Sequence, residues 1–408
     1  MAKFLYLGVP AFGHFNPVLP IIAELVRRGH NVSVVNTAEF EPTVTALGAW
    51  FIPFPVEFSS KQLAELLVNG NLGRAIAFSR EAAIVLVPWL NELMPKLAPD
   101  CVAYDAQAMY GHVSCKMLGY RSVSIFPYPV IEATRHALGW RATLAALRQN
   151  GPHFWKLLTT RFAVTRAFGA HTFPTTRPRF QSRGDMTLLL TIPEMQRPDA
   201  WRDDTMIYVG PSIEEKVRHV DFPFDRLDDR PLVYISLGTL ATGDIGFFRT
   251  CLTAFGTLPA QFVMSIGQKH AIADLRPIPG NFIVRSYVPQ LEILSRAAAF
   301  VTHCGFTGFQ EALWYGVPMV GIPQQIEQLM NTRLSARRGA TIPLENHFNG
   351  QPVSAGELRA AVEKILADPS YREAARGFQT AMRKSGGFRQ AASELEKFAA
   401  QKSAPPSA

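Results

Sequence analysis

"AAFVTHCGFTGFQEALWYGVPMVGIPQQIEQ", residues 298–328, contains two apolar runs with a glycine turn and a helix-like stretch between them. Ala298–Thr302 and "VPMVGIP" have strand composition, and "GFQEALWYG" reads as a helix. Strand, turn, helix, strand is the unit of parallel sheets, because a parallel crossover needs a dozen or more residues. Backbone N–H groups at the start of that helix can receive a diphosphate. His303 can add a donor to it. Glu311, about one turn in, is an acceptor suited to two ribose hydroxyls, and Glu327 and Gln328 follow the next strand, where they can read sugar hydroxyls. Taken in order, these residues describe a ligand made of nucleotide, diphosphate and sugar.

The same pattern extends upstream. "RPLVYISLGT", "AQFVMSIG" and "NFIVRSYV" are further short apolar runs, so the second half of the chain holds one α/β sheet. The first half opens with the strand "KFLYLGVP", the helix "NPVLPIIAELVRRGH" and the strand "NVSVVNT", and continues with "DCVAYD", "HVSCKMLG" and "SVSIF". In that helix Asn16 is placed as N-cap, Pro17 at the first helical position and Gly29 just past the end. The fold class is therefore α/β, two Rossmann-like doubly wound domains facing across a cleft, with ligand loops at the strand C-termini. The boundary is expected in the polar stretch from Pro211 to Arg230, which gives domains 1–214 and 215–384. The segment 385–408 reads as a helix with a disordered end.

Composition agrees with large cores. Of 408 residues, 48 % are apolar and only 18 % charged, which argues against disorder. No apolar run is long enough to span a membrane, and the start lacks the marks of a signal peptide. Cys101, Cys115, Cys251 and Cys304 show no C-x-x-C spacing and read as reduced thiols of a cytoplasmic protein. The net charge of +8 is uneven. Ala133–Gly184 has nine Lys and Arg and no Asp or Glu. That window is either a solvated helical face or a surface that meets anionic substrate or lipid headgroups. Within it, Trp140, Leu144 and Leu147 fall near one side of a helix and Arg141 and Arg148 share another, the pattern of a helix at an interface or in an amphipathic groove. No nucleic-acid module is present.

The fingerprints G-x-G-x-x-G, P-loop, H-E-x-x-H and G-x-S-x-G are missing, which disfavours dehydrogenases, NTPases and zinc or serine hydrolases. No Asp-x-Asp pair offers ligands for a magnesium–diphosphate site. His14 follows the first strand, at the ligand-facing end of the sheet. It is either a helix-entry hydrogen-bonding residue or a general base. Asp105 ends the strand "DCVAYD". It is either the partner that holds the tautomer of that histidine or a helix cap.

With these residues in view, the sequence resembles the family 1 glycosyltransferases of the GT-B fold, bacterial macrolide-type and plant small-molecule enzymes above all. The likeness covers nearly the whole chain. "GHFNP" is similar to the family's Gly-His-x-Asn-Pro motif, which implies His14 as catalytic base and Asp105 as its partner. "YISLGT" resembles the loop whose hydroxyl contacts the diphosphate, here Thr239. "SYVPQLEIL" resembles the Trp-x-Pro-Gln segment beside the nucleobase, with Tyr287 in the tryptophan position, Val288 next to it and Gln290 as the glutamine. "HCGFTGFQEA" is similar to His-Cys-Gly-x-Asn-Ser-x-x-Glu, which adds Gly305 to His303 and Glu311. Thr307 and Gly308 stand where that block has Asn and Ser, so side-chain phosphate donors are lost. "PQQIEQ" resembles the acidic-residue–Gln pair that binds the donor sugar.

The resemblance implies an inverting, metal-independent glycosyltransferase with no cofactor beyond its donor, most simply UDP-glucose, and a hydrophobic natural-product or lipid-like acceptor. It implies an acceptor-binding first domain, a donor-binding second domain and a C-terminal helix returning to the first. Contact with an anionic membrane surface is a further expectation from the basic window. The competing readings are a nucleotide-sugar epimerase on the same architecture and a non-catalytic helper. The acceptor-type histidine turn disfavours the first, and the presence of both His14 and Asp105 the second.

Overall fold

The computed structural model describes residues 1–56, 72–129, 151–170, 182–196, 203–214, 221–238 and 245–401. The chain forms two compact units. The first comprises Met1–Ile213 and Ser385–Ala408, the second Glu214–Lys384.

The first unit contains one parallel sheet of seven strands: β1 (Lys3–Leu7), β2 (Asn31–Asn36), β3 (Trp50–Pro53), β4 (Cys101–Asp105), β5 (Ser122–Phe126), β6 (Met186–Leu189) and β7 (Met206–Tyr208), in the order β3-β2-β1-β4-β5-β6-β7. The second has six parallel strands: β8 (Leu232–Ser236), β9 (Gln261–Ser265), β10 (Phe282–Arg285), β11 (Ala299–Thr302), β12 (Met319–Gly321) and β13 (Thr341–Pro343), in the order β10-β9-β8-β11-β12-β13. In each unit the strand order reverses beside the first strand, between β1 and β4 and between β8 and β11. That reversal is where doubly wound sheets bind ligands.

The central strands are buried along their whole length, as continuous apolar runs require when helices cover both sheet faces. In the second unit Phe255, Phe262 and Phe282 stack in sequence, each pair 4.9 Å between ring centroids. In the first unit the helix Gly387–Ala400 packs on the helix Leu19–Arg27. Arg28 donates to Glu396 at 2.6 Å, and His30 meets the same carboxylate at 2.7 Å. Buried Glu24 accepts from Arg27 and Arg28, whose hydrogen bonds hold its carboxyl down at about 2.

Several local expectations need correction. The helix expected to start at Pro17 after an Asn16 cap begins at Leu19, with Val18 as N-cap and Pro20 in its first turn, where a missing N–H costs nothing. Asn16 instead closes a preceding helix, Phe12–Phe15, which carries His14 in its last turn. Gly29 does follow the helix, at φ 82°. The strands β3, β6, β7 and β13 are additions of the structure to the sequence-based expectation. The helix expected around Leu138, Trp140, Arg141, Leu144, Leu147 and Arg148 lies outside the described residues. Among the described residues no helix is long and apolar enough to cross a membrane.

Candidate active site

Two chemical centres sit at the two sheet reversals. In the first unit the chain leaves β1 and turns through Phe12–Phe15, which brings His14 over the end of neighbouring β4. His14 Nδ1 lies 3.0 Å from Oδ2 of Asp105. The histidine side chain is 19 % exposed and the aspartate 0 %, so the pair has one wet end and one dry end. The other carboxylate oxygen of Asp105 accepts the backbone N–H of Gln107 at 2.8 Å. Asp105 is therefore not a helix cap, since Ala108 holds that position before the helix Met109–Leu118; one of its oxygens shapes the turn after β4 and the other meets the imidazole. A carboxylate on Nδ1 fixes the proton there and leaves Nε2 as the basic nitrogen. Tyr128 packs edge-on against the His14 ring at 4.9 Å.

In the second unit the loops after β8 and β11 meet around His303. Gly238 turns left-handed at φ 78°, its N–H held by Ser236 Oγ. A Cβ at Gly238 would lie 2.6 Å from the His303 ring, and one at Gly305 only 2.4 Å from its Nε2. Both positions must be glycine for the ring to lie where it does. Cys304, between His303 and Gly305, is held at φ 59°, a left-handed conformation that costs a non-glycine residue roughly 1–2 kcal/mol. Thr302 Oγ accepts its N–H at 3.1 Å and Asn331 Nδ2 donates to its carbonyl at 3.0 Å. Burial holds the His303 imidazole down at about 4, so it is neutral near pH 7. Its buried Nδ1 has no hydrogen-bond partner. An unprotonated nitrogen without a donor is cheaper to bury than an orphaned N–H, which puts the proton on Nε2.

The helix Phe306–Trp314 starts immediately after, with Gly305 as N-cap. Glu311 is buried on it and accepts from Gln290 Nε2, while Tyr234 donates to Gln290 Oε1 at 3.0 Å. Gln290 starts the helix Gln290–Leu294, preceded by exposed Tyr287 and buried Val288. Gly308 faces Gln290 with room for a side chain, the nearest atom to a built Cβ being 3.4 Å away. Thr307 is half-buried. After β12, the helix Ile326–Ala336 begins with a capping box between Gln325 and Gln328. Gln328 was expected to read sugar hydroxyls. It is buried, and its Oε1 accepts the backbone N–H groups of Gln324 and Gln325. Glu327 is half-buried and accepts from Asn331 Nδ2 at 2.6 Å. Thr239 lies outside the described residues.

Residues 212–382 match the family model described as UDP-glucoronosyl and UDP-glucosyl transferase. The oleandomycin glycosyltransferase of Streptomyces antibioticus is 30 % identical over 402 residues, 97 % of this chain and 90 % of its own length. The chain belongs to the UDP-glucoronosyl and UDP-glucosyl transferase family. It is a glycosyltransferase. NDP-glycosyltransferase YjiC of Bacillus subtilis (strain 168) is 29 % identical over 98 % of both chains. The solved structure of a glycosyltransferase of kitacinnamycin superposes with a TM-score of 0.78, at 27 % identity over 97 % of this chain and 98 % of that one. The calicheamicin glycosyltransferase CalG4, at 23 % identity and a TM-score of 0.75, shares the GT-B fold.

Within this glycosyltransferase the structure brings together His14 with Asp105, and Gln290 with Glu311. It also reveals three positions that reading along the chain passed over: Tyr128, Gly238 and Asn331. Asn331 carried a faint signal, since it stands one helical turn after Glu327 and shares its face. Gly238 is the turn glycine of "YISLGT", so its place was legible but not its contact with His303, and Tyr128 carried no signal because it meets His14 from far along the chain.

Proposed function

We propose that this glycosyltransferase moves a sugar from a nucleoside-diphosphate sugar, with UDP-glucose the first donor to test, to a hydroxyl of a hydrophobic small molecule, inverting the anomeric centre without a metal ion. The observation that carries this reading is the His14–Asp105 pair at 3.0 Å, one end buried and the other open to solvent, at the β1/β4 reversal. His14 Nε2 takes the proton of the acceptor hydroxyl, and the oxygen forms its bond to the anomeric carbon. The bond from that carbon to the diphosphate breaks on the opposite side, and UDP leaves with the electron pair. A single displacement inverts configuration. Asp105 supports the imidazolium, and general-base help of this kind contributes about 10²–10⁴-fold.

The leaving diphosphate meets the His303 Nε2–H and the first N–H groups of the helix Phe306–Trp314, and fixed donors of this kind take up developing charge in place of a cation. The buried Gln290–Glu311 pair supports a polar site for the nucleoside, with Tyr287 exposed beside it. Glu327 is the carboxylate left to face sugar hydroxyls, and Gln328 contributes chiefly by building the helix start. A relative that is an oleandomycin glycosyltransferase supports a natural-product acceptor.

The test is UDP-glucose with a panel of phenolic and macrolide alcohols, read by mass spectrometry. A hexose mass on an acceptor, a loss of at least about 100-fold in His14→Ala with UDP binding retained, and full turnover in EDTA are expected. Isomerised donor without transfer, or turnover that EDTA abolishes and magnesium restores, would overturn the corresponding part.

A further inference from the structure

The helix Phe154–Phe168 in the first unit has no part in the reaction above, yet it displays an unusual surface. Phe154 is 54 % exposed, Trp155 75 %, Leu158 40 % and Phe162 70 %. These are four of the ten large apolar side chains exposed among the described residues, so the exposure is concentrated rather than scattered. Their spacing puts them on one side of the helix, over an arc of roughly 100°. The opposite side holds buried Thr160 and Val164. The helix Leu72–Leu97 grips it there. Arg80 donates to the carbonyl of Leu157 at 2.7 Å, and Glu81 pairs with Lys156 at 3.1 Å. The helix is thus anchored by its inner side and leaves its aromatic side outward.

The helix's own charge is of one sign, and Glu81 of the neighbouring helix is paired with Lys156 on the inner side. The helix carries Lys156, Arg161 and Arg166 and no acid, and it lies inside the acid-free window Ala133–Gly184. Arg166 is exposed one turn beyond Phe162. A second copy would bring two cationic helices together at a repulsive cost. A small acceptor needs an enclosing site, whereas Trp155 is 75 % and Phe162 70 % exposed. Aromatic bodies on one side, flanking arginines and no acid on the helix itself are the features of a helix that lies in the headgroup layer of an anionic bilayer.

We propose that the outer face of Phe154–Phe168 docks the enzyme on anionic phospholipid surfaces. The aromatic side chains enter the acyl boundary and the surrounding Lys and Arg residues meet lipid phosphates. The proposal is independent of the transfer chemistry and is read by binding alone.

The experiment is co-sedimentation of the full chain with vesicles of phosphatidylcholine, with or without phosphatidylglycerol, at low and high salt. Binding should be at least roughly tenfold stronger with the anionic lipid and should fall as salt rises. Trp155→Ser with Phe162→Ser should lose binding by roughly tenfold or more, and Arg166→Glu should weaken it for anionic vesicles only. All of these positions are exposed, and unchanged circular dichroism and UDP affinity will show that the fold persists. Failure of the wild type to bind anionic vesicles at low salt overturns the proposal. So does full binding by the folded double serine variant. If that variant instead abolishes a dimer, or raises only the KM for an acceptor, the face belongs to a second copy or to the acceptor, and the proposal fails.

Discussion

Replacing Gly305 by alanine isolates the contribution of His303 to donor binding without touching the histidine. Gly305 has φ −60° and ψ 139°, a conformation open to any residue, so the backbone bears no strain from the change. The added Cβ would stand 2.4 Å from Nε2 and 3.0 Å from Cε1 of His303. No carbon tolerates a ring nitrogen that close, and the ring must turn away from the helix start. If Nε2–H donates to the diphosphate, one hydrogen bond to a charged group is lost, about 1.5–3 kcal/mol, or roughly 10- to 150-fold in UDP affinity. Fold stability should change far less. Alanine is a poorer N-cap than glycine by up to about 1 kcal/mol, a melting shift of roughly 2–4 °C. Calorimetric titration of UDP and a thermal melt measure the two effects separately. His303→Ala should show the same affinity loss, and the double variant should be no worse than either single one, since both remove one interaction. Wild-type UDP affinity in Gly305→Ala, or additive losses in the double variant, would refute the assignment of Nε2 to the diphosphate.

Asn331→Ala should release Glu327 and the Cys304 carbonyl together, raising the KM for UDP-glucose by roughly tenfold while affinity for UDP alone falls less, because only the sugar meets Glu327. Comparison of donor KM with the UDP Kd checks it, and an equal change in both would mean that Asn331 serves only the turn. Gly308→Ser should be tolerated, since its Cβ meets nothing closer than 3.4 Å, and should tighten UDP binding by up to roughly tenfold by restoring a hydroxyl donor near the helix start. Weaker binding in a folded variant would place the diphosphate elsewhere. Burial holds both His303 and His112 at about 4, below the usual 6.5, so their contributions to stability are present above pH 6.5 and are lost as pH falls toward 4. Each pH unit of that displacement is worth about 1.4 kcal/mol per group, and His112→Gln should flatten the slope of melting temperature against pH between 6.5 and 4.

The alternation of short apolar runs with helical stretches was enough to determine two doubly wound α/β units, because a buried parallel strand has to be apolar along its whole length and a crossover has to be long. His14, His303 and Glu311 were legible for a related reason: ligand loops follow strand ends, so a polar residue directly after an apolar run stands at the mouth of the sheet. The edge strands β3, β7 and β13 were not legible, since they are only partly buried and lack the continuous apolar run that marks the equally short β11 and β12. Nor was the division of labour within the site. Asp105 reaches His14 across 91 positions of chain, and only the pairing of β1 with β4 brings them to 3.0 Å. Gln328 was read as a sugar ligand, and only the structure shows that its amide oxygen also serves the helix cap, accepting the N–H groups of Gln324 and Gln325. The neutrality of His303 comes from burial between two glycine loops, and Asn331 gains its two partners by packing against the turn at Cys304. Periodicity and order along the chain reveal which residues stand at strand ends. Which of them meet, and what protonation they hold there, depends on contacts between segments far apart in sequence and on the water those contacts exclude.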